Sequence, residues 1–350
     1  MPAVRKVLLA EPRGFCAGVE MAIKALAWMV RIFEPPVYCY HEIVHNRLVV
    51  EAFERQGVVF VDDVAAVPAG APLMLSAHGS APEVEAAAAE QAGVVVNAVC
   101  PLVTKVHHEM KVRTQKGYTV LYVGHAGHEE AIGTMAVAPS AVRLVESEAD
   151  VDALAPIDSP VALLAQTTLP HDEWSGVAAR ARERFPDLWM PGRSDLCYAT
   201  TNRQAALKAI AGSCDAVVVI GSANSSNTVS LTRVATAAGC DRVLRVNSAA
   251  ELPGDLSGVV GVTAGASAPE WLVDEVLAHL APAEGVERVQ TIEEDEYFPP
   301  PRDLRDLLRA VTAAAAVVLG VPPHGPAPAA DDRAVPAARM LAAGPGALAS

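Results

Sequence analysis

The sequence contains an internal threefold repeat, which limits the possible fold more strongly than any other feature. Three widely separated cysteines each follow an apolar or turn-like run and open a stretch of helical periodicity: Cys16, Cys100 and Cys197. Two polar corners follow each cysteine at similar distances. The first corners are HEIVHN (41–46), GHAGHEE (124–130) and GSANSSN (221–227), and the second corners are SAHGSAPE (76–83), AQTTLPHDEW (165–174) and TAGASAPEW (263–271). A repeat of about 90 residues predicts three similar units whose corners converge on one site.

The segments between the corners predict an α/β fold. Short, uniformly apolar runs such as 161–165 and 216–220 alternate with stretches of helical periodicity such as 200–211. Uniformly apolar strands separated by helices are typical of parallel sheets that helices cover on both faces. Ligands of such sheets bind beyond the carboxyl ends of the strands, and the polar corners fall there.

Composition excludes several function classes. The 350 residues carry a formal net charge of −14, which argues against non-specific binding to nucleic acid or to an anionic membrane surface. No stretch approaches the roughly 20 apolar residues that span a bilayer. Dispersed cysteines without a recognisable signal peptide indicate reduced thiols, and we therefore expect a cytoplasmic protein.

The spacing of the three repeated cysteines indicates what they could bind. A thiolate at the start of a helix faces the positive end of the helix dipole, which suits it to bind metal. Their separation is too large for a zinc finger or a bacterial ferredoxin. Three cysteines would leave one position of a cubane cluster open for substrate, as a catalytic cluster requires. Three further cysteines lie outside the repeat and are expected to be core residues: Cys39, Cys214 and Cys240.

The polar corners predict an anion site with one acid. The residues whose side chains suit an anionic ligand are His45, His78, His128, Ser225, Ser226, Asn227 and Ser267. Strand-to-helix corners offer hydroxyls and backbone N–H groups to phosphate, although the same residues also suit plain helix capping. Glu130 is the natural proton donor, with Thr167 as a relay. The alternative for Glu130 is a solvated first-turn glutamate.

One short motif favours a different class of protein. Residues 41–45, HEIVH, match the HExxH pattern of zinc peptidases. That pattern works only inside a helix, where the two histidines share one face. Here it follows a β-like run, and Asn46 behind it is typical of a helix start. The zinc hydrolase therefore stays a remote alternative.

Nine motifs together resemble the LytB (IspH) family of 4-hydroxy-3-methylbut-2-enyl diphosphate reductases. From about Val4 to Arg305, in order, they are PRGFCAGV, HEIVHNR, SAHG, CPLVTKVH, GHAGH, QTTL, CYATTNRQ, GSANSSN and TAGASAP. The resemblance implies a pseudo-threefold cloverleaf of three similar small α/β domains with mostly parallel sheets. At its centre would lie one [4Fe–4S] cluster per chain, held by Cys16, Cys100 and Cys197 with one open iron site.

The same resemblance implies the activity and its residues. The enzyme would reductively dehydroxylate its allylic diphosphate to isopentenyl and dimethylallyl diphosphate, in the last step of the non-mevalonate pathway. The diphosphate would contact His45, His78, His128, Thr167, Ser225, Ser226, Asn227 and Ser267. The catalytic residues would be Glu130, Thr167 and His128, and a ferredoxin or flavodoxin would donate electrons. A non-catalytic iron–sulfur carrier or sensor remains the alternative, because it would not require the anion site or Glu130.

Residues 127–135 read GHEEAIGTM where the family usually reads GH-P-E-V-E-G-T-M, and two of the three differences involve a charged residue. Glu129 stands in place of the proline and Ile132 in place of a second carboxylate, while Glu130 keeps its register. The carboxylate of Glu129 is expected either to raise the pKa of Glu130 by like-charge repulsion or to point outward.

Six segments are expected along the chain. They are an N-terminal strand that joins the third domain (1–15), three α/β domains (16–99, 100–195 and 196–283), an extension that closes the fold (284–305) and a tail (306–350). The tail is rich in Ala and Pro, and we expect it to be disordered apart from a short helix around 303–319.

Overall fold

The computed structural model describes residues 3–320 and 332–342. Its strands are β1 (Val4–Glu11), β2 (Val37–Tyr40), β3 (Val58–Val61), β4 (Pro72–Leu75), β5 (Val94–Asn97), β6 (Thr119–Val123), β7 (Val142–Val145), β8 (Val161–Ala165), β9 (Ala216–Ile220), β10 (Val243–Val246), β11 (Gly258–Ala264) and β12 (Val286–Gln290). Its α-helices are α1 (Ala17–Ile32), α2 (Arg47–Glu54), α3 (Pro82–Gln91), α4 (Pro101–Gln115), α5 (Glu129–Ala136), α6 (Glu148–Ala153), α7 (His171–Arg184), α8 (Tyr198–Ala211), α9 (Ser226–Ala237), α10 (Glu270–Leu280), α11 (Arg302–Leu319) and α12 (Ala337–Ala342).

The strands form three parallel sheets, which confirms the predicted fold class. The first sheet has the order β3-β2-β4-β5, the second β7-β6-β8 and the third β10-β9-β11-β1-β12. Every strand pairing within the described residues is parallel. Strands β8 and β9 are buried at all of their positions, as expected of parallel strands that helices cover.

The three sheets repeat one topology. Strands β2, β6 and β9 each pair on one side with the next strand of the chain and on the other side with the strand after that. One further pairing follows in each sheet. Strand β4 pairs with β5, and β11 pairs with β1. In the second sheet the corresponding pairing is a single bridge between Ala162 of β8 and Trp189. The strand order therefore agrees with an internal triplication. The repeat is circularly permuted, because the N-terminal strand completes the third sheet.

Two strands were not predicted. Residues 142–145 include an exposed Arg143 and a partly buried Leu144 between two buried valines, so they lack a continuous buried apolar run. Strand β12 is an edge strand whose residues are mostly exposed, and it contains Glu287 and Arg288. Apolar patterning identifies strands that are buried on both faces, and neither segment is one.

The chain forms two compact units. The first contains the second and third sheets and comprises residues 3–16, 45–47 and 102–294. The second contains the first sheet and comprises residues 17–44, 48–101, 295–320 and 332–342. Among the described residues, no helix has the length and apolarity that crossing a membrane requires.

The expectation of a disordered tail is wrong for residues 332–342. Helix α11 is the short helix expected there, but residues 332–342 are also ordered and pack on α1 in the second unit. Met340 and Leu341 are buried, and Glu20 and Arg31 of α1 bond backbone atoms of this segment. Composition obscured this docking because a few apolar residues are enough to anchor a short helix. The remaining tail residues, 321–331 and 343–350, lie outside the described residues.

Candidate active site

Each repeated cysteine immediately precedes a helix. Cys16, Cys100 and Cys197 come directly before α1, α4 and α8, as the sequence predicted. The backbone N–H of each donates to a carbonyl of a second polar corner. These bonds run from Cys16 to Ala266 (3.1 Å), from Cys100 to Ala77 (3.0 Å) and from Cys197 to Thr167 (2.8 Å). All three thiols are partly exposed. One local geometry therefore holds the three cysteines, in agreement with the repeat.

The cysteines outside the repeat have different surroundings. Cys39 and Cys240 are buried in the core, as expected. Cys214 is half-buried against the core of the third sheet. Burial raises the pKa of the Cys214 thiol to about 12, and the nearby Cys240 and Asp215 add to the effect. Such a thiol stays protonated near neutral pH and is a poor metal ligand.

Glu130 is a buried acid in the first turn of α5. Its side chain lies in the interior of the first unit and is 2% exposed. Oε1 accepts a hydrogen bond from the backbone N–H of Thr167 at 2.7 Å, and Oε2 accepts one from the Thr167 hydroxyl at 2.9 Å. The alternative of a solvated first-turn glutamate is therefore wrong.

The surroundings of Glu130 raise its pKa to about 7. Burial is the main cause, because the charged form loses its hydration. The two hydrogen bonds from Thr167 oppose this by stabilising the carboxylate, while the nearby carboxylate of Asp195 raises the pKa further. Asp195 is itself buried, and its own hydrogen bonds come from Lys105 and from the backbone of Ala165. The balance leaves Glu130 able to hold or release a proton near neutral pH.

Glu129 neither points outward nor raises the pKa of Glu130, the two outcomes expected from the sequence. Its side chain is 23% exposed, and Oε2 lies 4.0 Å from Nε2 of His45, so it does not point outward. The like charge that raises the pKa of Glu130 is Asp195 rather than Glu129. Ile132 is 53% exposed, which shows that the family's second carboxylate position lies at the surface of α5 in this chain.

Two of the predicted histidines lie together in the first unit. His128 is the N-cap of α5, and its Nδ1 accepts a hydrogen bond from the N–H of Glu130 at 3.1 Å. Because Nδ1 is the acceptor, a neutral His128 carries its proton on Nε2. The rings of His45 and His128 meet edge to face with centroids 5.5 Å apart.

The hydroxyl-rich corner lies at the start of α9, also in the first unit. Ser225 caps this helix by accepting from the N–H of Thr228 at 3.3 Å. The Asn227 side chain accepts from the N–H of Ala266 at 3.0 Å. Ser267 donates to the carbonyl of His45 at 2.9 Å. This bond joins the first corner of the first repeat to the second corner of the third repeat. The helix N-terminus with its hydroxyls is suited to an anion, and Ser225 acts at the same time as the expected helix cap.

Glycine is required at the end of strand β9. Gly221 has a φ of +149°, and a Cβ there would lie 2.4 Å from Oγ1 of Thr228. No other residue fits this approach without displacing the start of α9.

Three side chains of this network, those of Gln166, Thr168 and Thr200, were not predicted from the sequence. The Thr168 hydroxyl donates to that of Ser226 at 3.0 Å, and the Gln166 amide donates to Thr168 at 2.9 Å. Thr200 accepts from the Asn227 amide at 3.4 Å. The repeat could have identified Thr168. When QTTL is aligned with SAHG and GASA, Thr168 occupies the same position as His78 and Ser267.

The remaining predicted residues are placed as follows. His78 and Cys100 lie in the second unit, and His78 is half-buried with its Nδ1 3.5 Å from the Ser76 hydroxyl. Residues 41–46 form an irregular turn, and helix α2 starts only at Arg47. The HEIVH pattern therefore lacks the helical spacing that a zinc peptidase requires.

The fold and these contacts define a class, namely a triplicated α/β protein with a thiol at three helix starts and a buried carboxyl group in its second repeat. Comparison with known proteins gives the family. The profile of the LytB protein family matches residues 7–281, and the chain belongs to this family. Members of the family are iron–sulfur enzymes.

Two relatives with similar sequences carry the same name. A protein of Mycolicibacterium paratuberculosis is 48% identical over 310 residues, which cover 87% of this chain and 93% of the relative. One of Rhodopirellula baltica is 45% identical over 315 residues, covering 88% and 98%. Both are named 4-hydroxy-3-methylbut-2-enyl diphosphate reductase. The solved structure of the Plasmodium falciparum (E)-1-hydroxy-2-methyl-but-2-enyl-4-diphosphate reductase aligns with a TM-score of 0.84 at 30% identity, covering 89% of this chain and 99% of that one.

Proposed function

We propose that this protein is an oxidoreductase that converts 4-hydroxy-3-methylbut-2-enyl diphosphate into isopentenyl and dimethylallyl diphosphate. The reaction removes the allylic hydroxyl as water and consumes two electrons and two protons. One proton leaves in the water, and the other forms a new C–H bond. The observation that carries the proposal is the buried Glu130, held by Thr167 with a pKa of about 7. A protein that only carries electrons has no use for such an acid.

The thiols fit an iron–sulfur cluster. Cys16, Cys100 and Cys197 are partly exposed, each precedes a helix, and each has its backbone N–H engaged by a corner carbonyl. Soft thiolate ligands favour iron–sulfur clusters over hard cations. A [4Fe–4S] cluster bound by these three residues would accept the two electrons one at a time and leave one iron open for the substrate. The other three cysteines are poor candidates for a fourth ligand, because Cys39 and Cys240 are buried in the core and Cys214 is half-buried against it.

The polar corners of the repeat would bind the diphosphate. Ser225, Ser226 and Asn227 present hydroxyl, amide and backbone N–H groups at the start of α9, where the helix dipole favours an anion. We include His128, because it caps the start of α5 in the first corner of the second repeat and its Nδ1 accepts from the N–H of Glu130. We include His45, His78, Thr167 and Ser267 in the same role, because each lies in an equivalent corner of the repeat.

Glu130 would supply a proton at the allylic oxygen. Two hydrogen bonds from Thr167 fix its rotamer, so the acid is oriented before the substrate arrives. The Thr167 hydroxyl can accept from the protonated acid as readily as it donates to the carboxylate, which lets it pass a proton onward. A group with a pKa near the working pH is efficient in this role.

The partners follow from this chemistry. The substrate is a small allylic diphosphate, and a reductant must deliver two electrons. A small one-electron carrier such as a ferredoxin or flavodoxin is our proposal for that reductant. The dispersed, non-paired pattern of the cysteines in the sequence favours a reducing compartment, and we propose the cytoplasm.

The decisive experiment starts with protein purified without oxygen. Iron, acid-labile sulfide and zinc are measured per chain, and the protein is then supplied with the allylic diphosphate and a chemical reductant. Iron and sulfide in a near-equal ratio, with formation of both products, would support the reductase. Iron and sulfide without turnover would favour the carrier or sensor. Zinc without sulfide would contradict both.

A further inference from the structure

One buried guanidinium is not explained by the proposed chemistry. Arg203, in the CYATTNRQ motif of α8, is 1% exposed and is the largest fully buried side chain among the described residues. Burying a cation is costly unless the structure provides partners for each of its donors.

All the donor groups of Arg203 have partners. Nε and Nη2 donate to the carbonyl of Gly14 at 3.1 and 2.9 Å, and Nη2 also donates to the carbonyl of Phe15 at 3.3 Å. Nη1 donates to the carbonyl of Ala199 at 3.0 Å and to the carboxylate of Glu294 at 3.0 and 3.1 Å. The guanidinium thus fills a site in which each partner is an oxygen, and Glu294 balances its charge.

Two of these partners belong to the loop that carries Cys16. The carbonyl of Phe15 and the N–H of Cys16 are parts of the same peptide group. Arg203 holds the carbonyl side, and the carbonyl of Ala266 holds the N–H side at 3.1 Å. Both polar groups of this peptide are therefore held by hydrogen bonds. The orientation of the peptide sets the direction in which the Cys16 side chain leaves the backbone.

The same side chain connects two of the cysteines. Helix α8 begins directly after Cys197, and Arg203 lies in its second turn. Glu294 holds that turn as well, because its Oε1 also accepts from the Asn202 amide at 2.9 Å. The Cys16 loop is in this way attached to the helix that Cys197 caps, within the first unit.

We propose that Arg203, with Glu294, is a positioning residue for the iron–sulfur cluster: it fixes the Cys16 thiolate relative to Cys197. This inference rests on the proposed function and extends it to residues outside the donor set. Lysine cannot replace arginine here, because one ammonium group cannot reach the Gly14, Phe15 and Ala199 carbonyls and Glu294 together.

The test compares three variants with the wild-type chain, all purified without oxygen. Arg203→Lys keeps the positive charge but loses the planar fork, and Glu294→Gln removes the counter-charge. Leu207→Ala is the control, because Leu207 is buried one turn further along α8 and its side chain makes no hydrogen bond to the Cys16 loop. Iron and sulfide per chain, the rate of cluster loss to a chelator, the reduction potential and the electron paramagnetic resonance signal of the reduced cluster are measured.

Removing a residue that orients a metal ligand typically lowers metal affinity by about 10- to 100-fold, so we expect Arg203→Lys and Glu294→Gln to lose the cluster faster than the wild type by a similar factor. The cluster that remains in Arg203→Lys should have a changed resonance signal and a shifted potential. Because lysine keeps the charge, these changes would report altered ligand geometry. Leu207→Ala should lower thermal stability and leave the signal and potential unchanged.

The outcomes separate this inference from the proposed function. A wild-type chain without iron and sulfide would contradict the proposed function itself. A wild-type cluster together with an Arg203→Lys cluster of unchanged lifetime, potential and signal would overturn only the role of Arg203. Equal cluster loss in Leu207→Ala would overturn it too, because general stability would then explain the effect.

Discussion

The carboxylate of Glu130 receives both of its side-chain hydrogen bonds from one residue, Thr167: the backbone N–H binds Oε1 and the hydroxyl binds Oε2. The N–H can only donate, so it holds Oε1 as an acceptor in either protonation state. The hydroxyl can donate to the carboxylate or accept from the acid. The proton of the acid form therefore belongs on Oε2, and Thr167 accommodates it without moving.

Replacing Glu130 by glutamine should abolish proton donation and leave the site otherwise intact. Glutamine has nearly the same shape, and its amide oxygen can still accept from the N–H of Thr167. Removing a general acid typically lowers the rate by about 100- to 10,000-fold. We expect that loss in kcat, with unchanged iron content and a similar affinity for the substrate. Near-normal turnover of Glu130→Gln would exclude Glu130 as the acid.

The pKa of Glu130 also predicts the pH dependence of the reaction. Because the pKa is raised to about 7, the acid form is present below that pH and is lost as pH rises through it. Turnover should fall on the alkaline side with a midpoint near 7. Thr167→Val removes a hydrogen bond that stabilises the carboxylate, so the midpoint should move to higher pH. A midpoint that stays in place in Thr167→Val would show that another group limits the rate.

The stability of the protein should respond to the same group. A carboxyl group whose pKa is raised in the folded state favours folding while it is protonated, and this advantage is lost as pH rises through about 7. Glu130→Gln cannot ionise, and its free energy of unfolding should decline less between pH 6 and about 8 than that of the wild type. Parallel pH profiles in chemical denaturation would contradict the raised pKa.

The sequence predicted the parts of this fold that depend on local patterns. Continuous apolar runs identified strands such as β8 and β9, and the polar corners marked the start of α5 and α9. The repeat also separated Cys16, which precedes α1, from Cys214, which packs against the core of the third sheet. Each of these features is written within a few neighbouring residues, where apolar periodicity and capping preferences act.

Features that depend on distant residues were not predictable in this way. No local pattern indicates that Asp195 lies close enough to Glu130 to raise its pKa, or that Arg203 reaches the loop before Cys16. Strand β12 is recognisable only from its pairing with β1. The order of residues 332–342 likewise depends on their contacts with α1, since Ala and Pro alone do not favour a packed segment.

Replacing a cysteine inside the repeat should lower the iron and sulfide content, whereas replacing one outside it should not. Cys16→Ser removes a proposed ligand and should lose most of the iron and sulfide. Cys214→Ser changes a thiol whose pKa is about 12, so it should keep the wild-type content. Both are measured on protein purified without oxygen, with circular dichroism as a check of folding. Equal iron content in the two variants would contradict the assignment of the ligands.

The hydroxyl of Ser226 should contribute to diphosphate binding. A hydrogen bond to a charged ligand is worth about 1.5–3 kcal/mol, so Ser226→Ala should weaken inhibition by inorganic diphosphate by about 10- to 150-fold. Thr232→Ala is the matched control, because Thr232 lies on the same helix and its hydroxyl bonds only the carbonyl of Val229 among the contacts of the described residues. Equal effects in the two variants would indicate a general loss of helix stability.

The docked C-terminal helix should stabilise the second unit. Met340 is 1% exposed, and Arg31 of α1 donates to its carbonyl at 2.9 Å. Truncating a buried methionine leaves a cavity, so Met340→Ala should lower the free energy of unfolding by about 2–5 kcal/mol. Hydrogen exchange of the α1 amides should accelerate with it, because α12 packs on that helix. Val317→Ala, at a side chain that is 83% exposed on α11, should change stability by no more than about 0.5 kcal/mol. If Met340→Ala behaves like Val317→Ala, residues 332–342 do not support α1, and the helix that follows Cys16 is stabilised by the rest of the second unit alone.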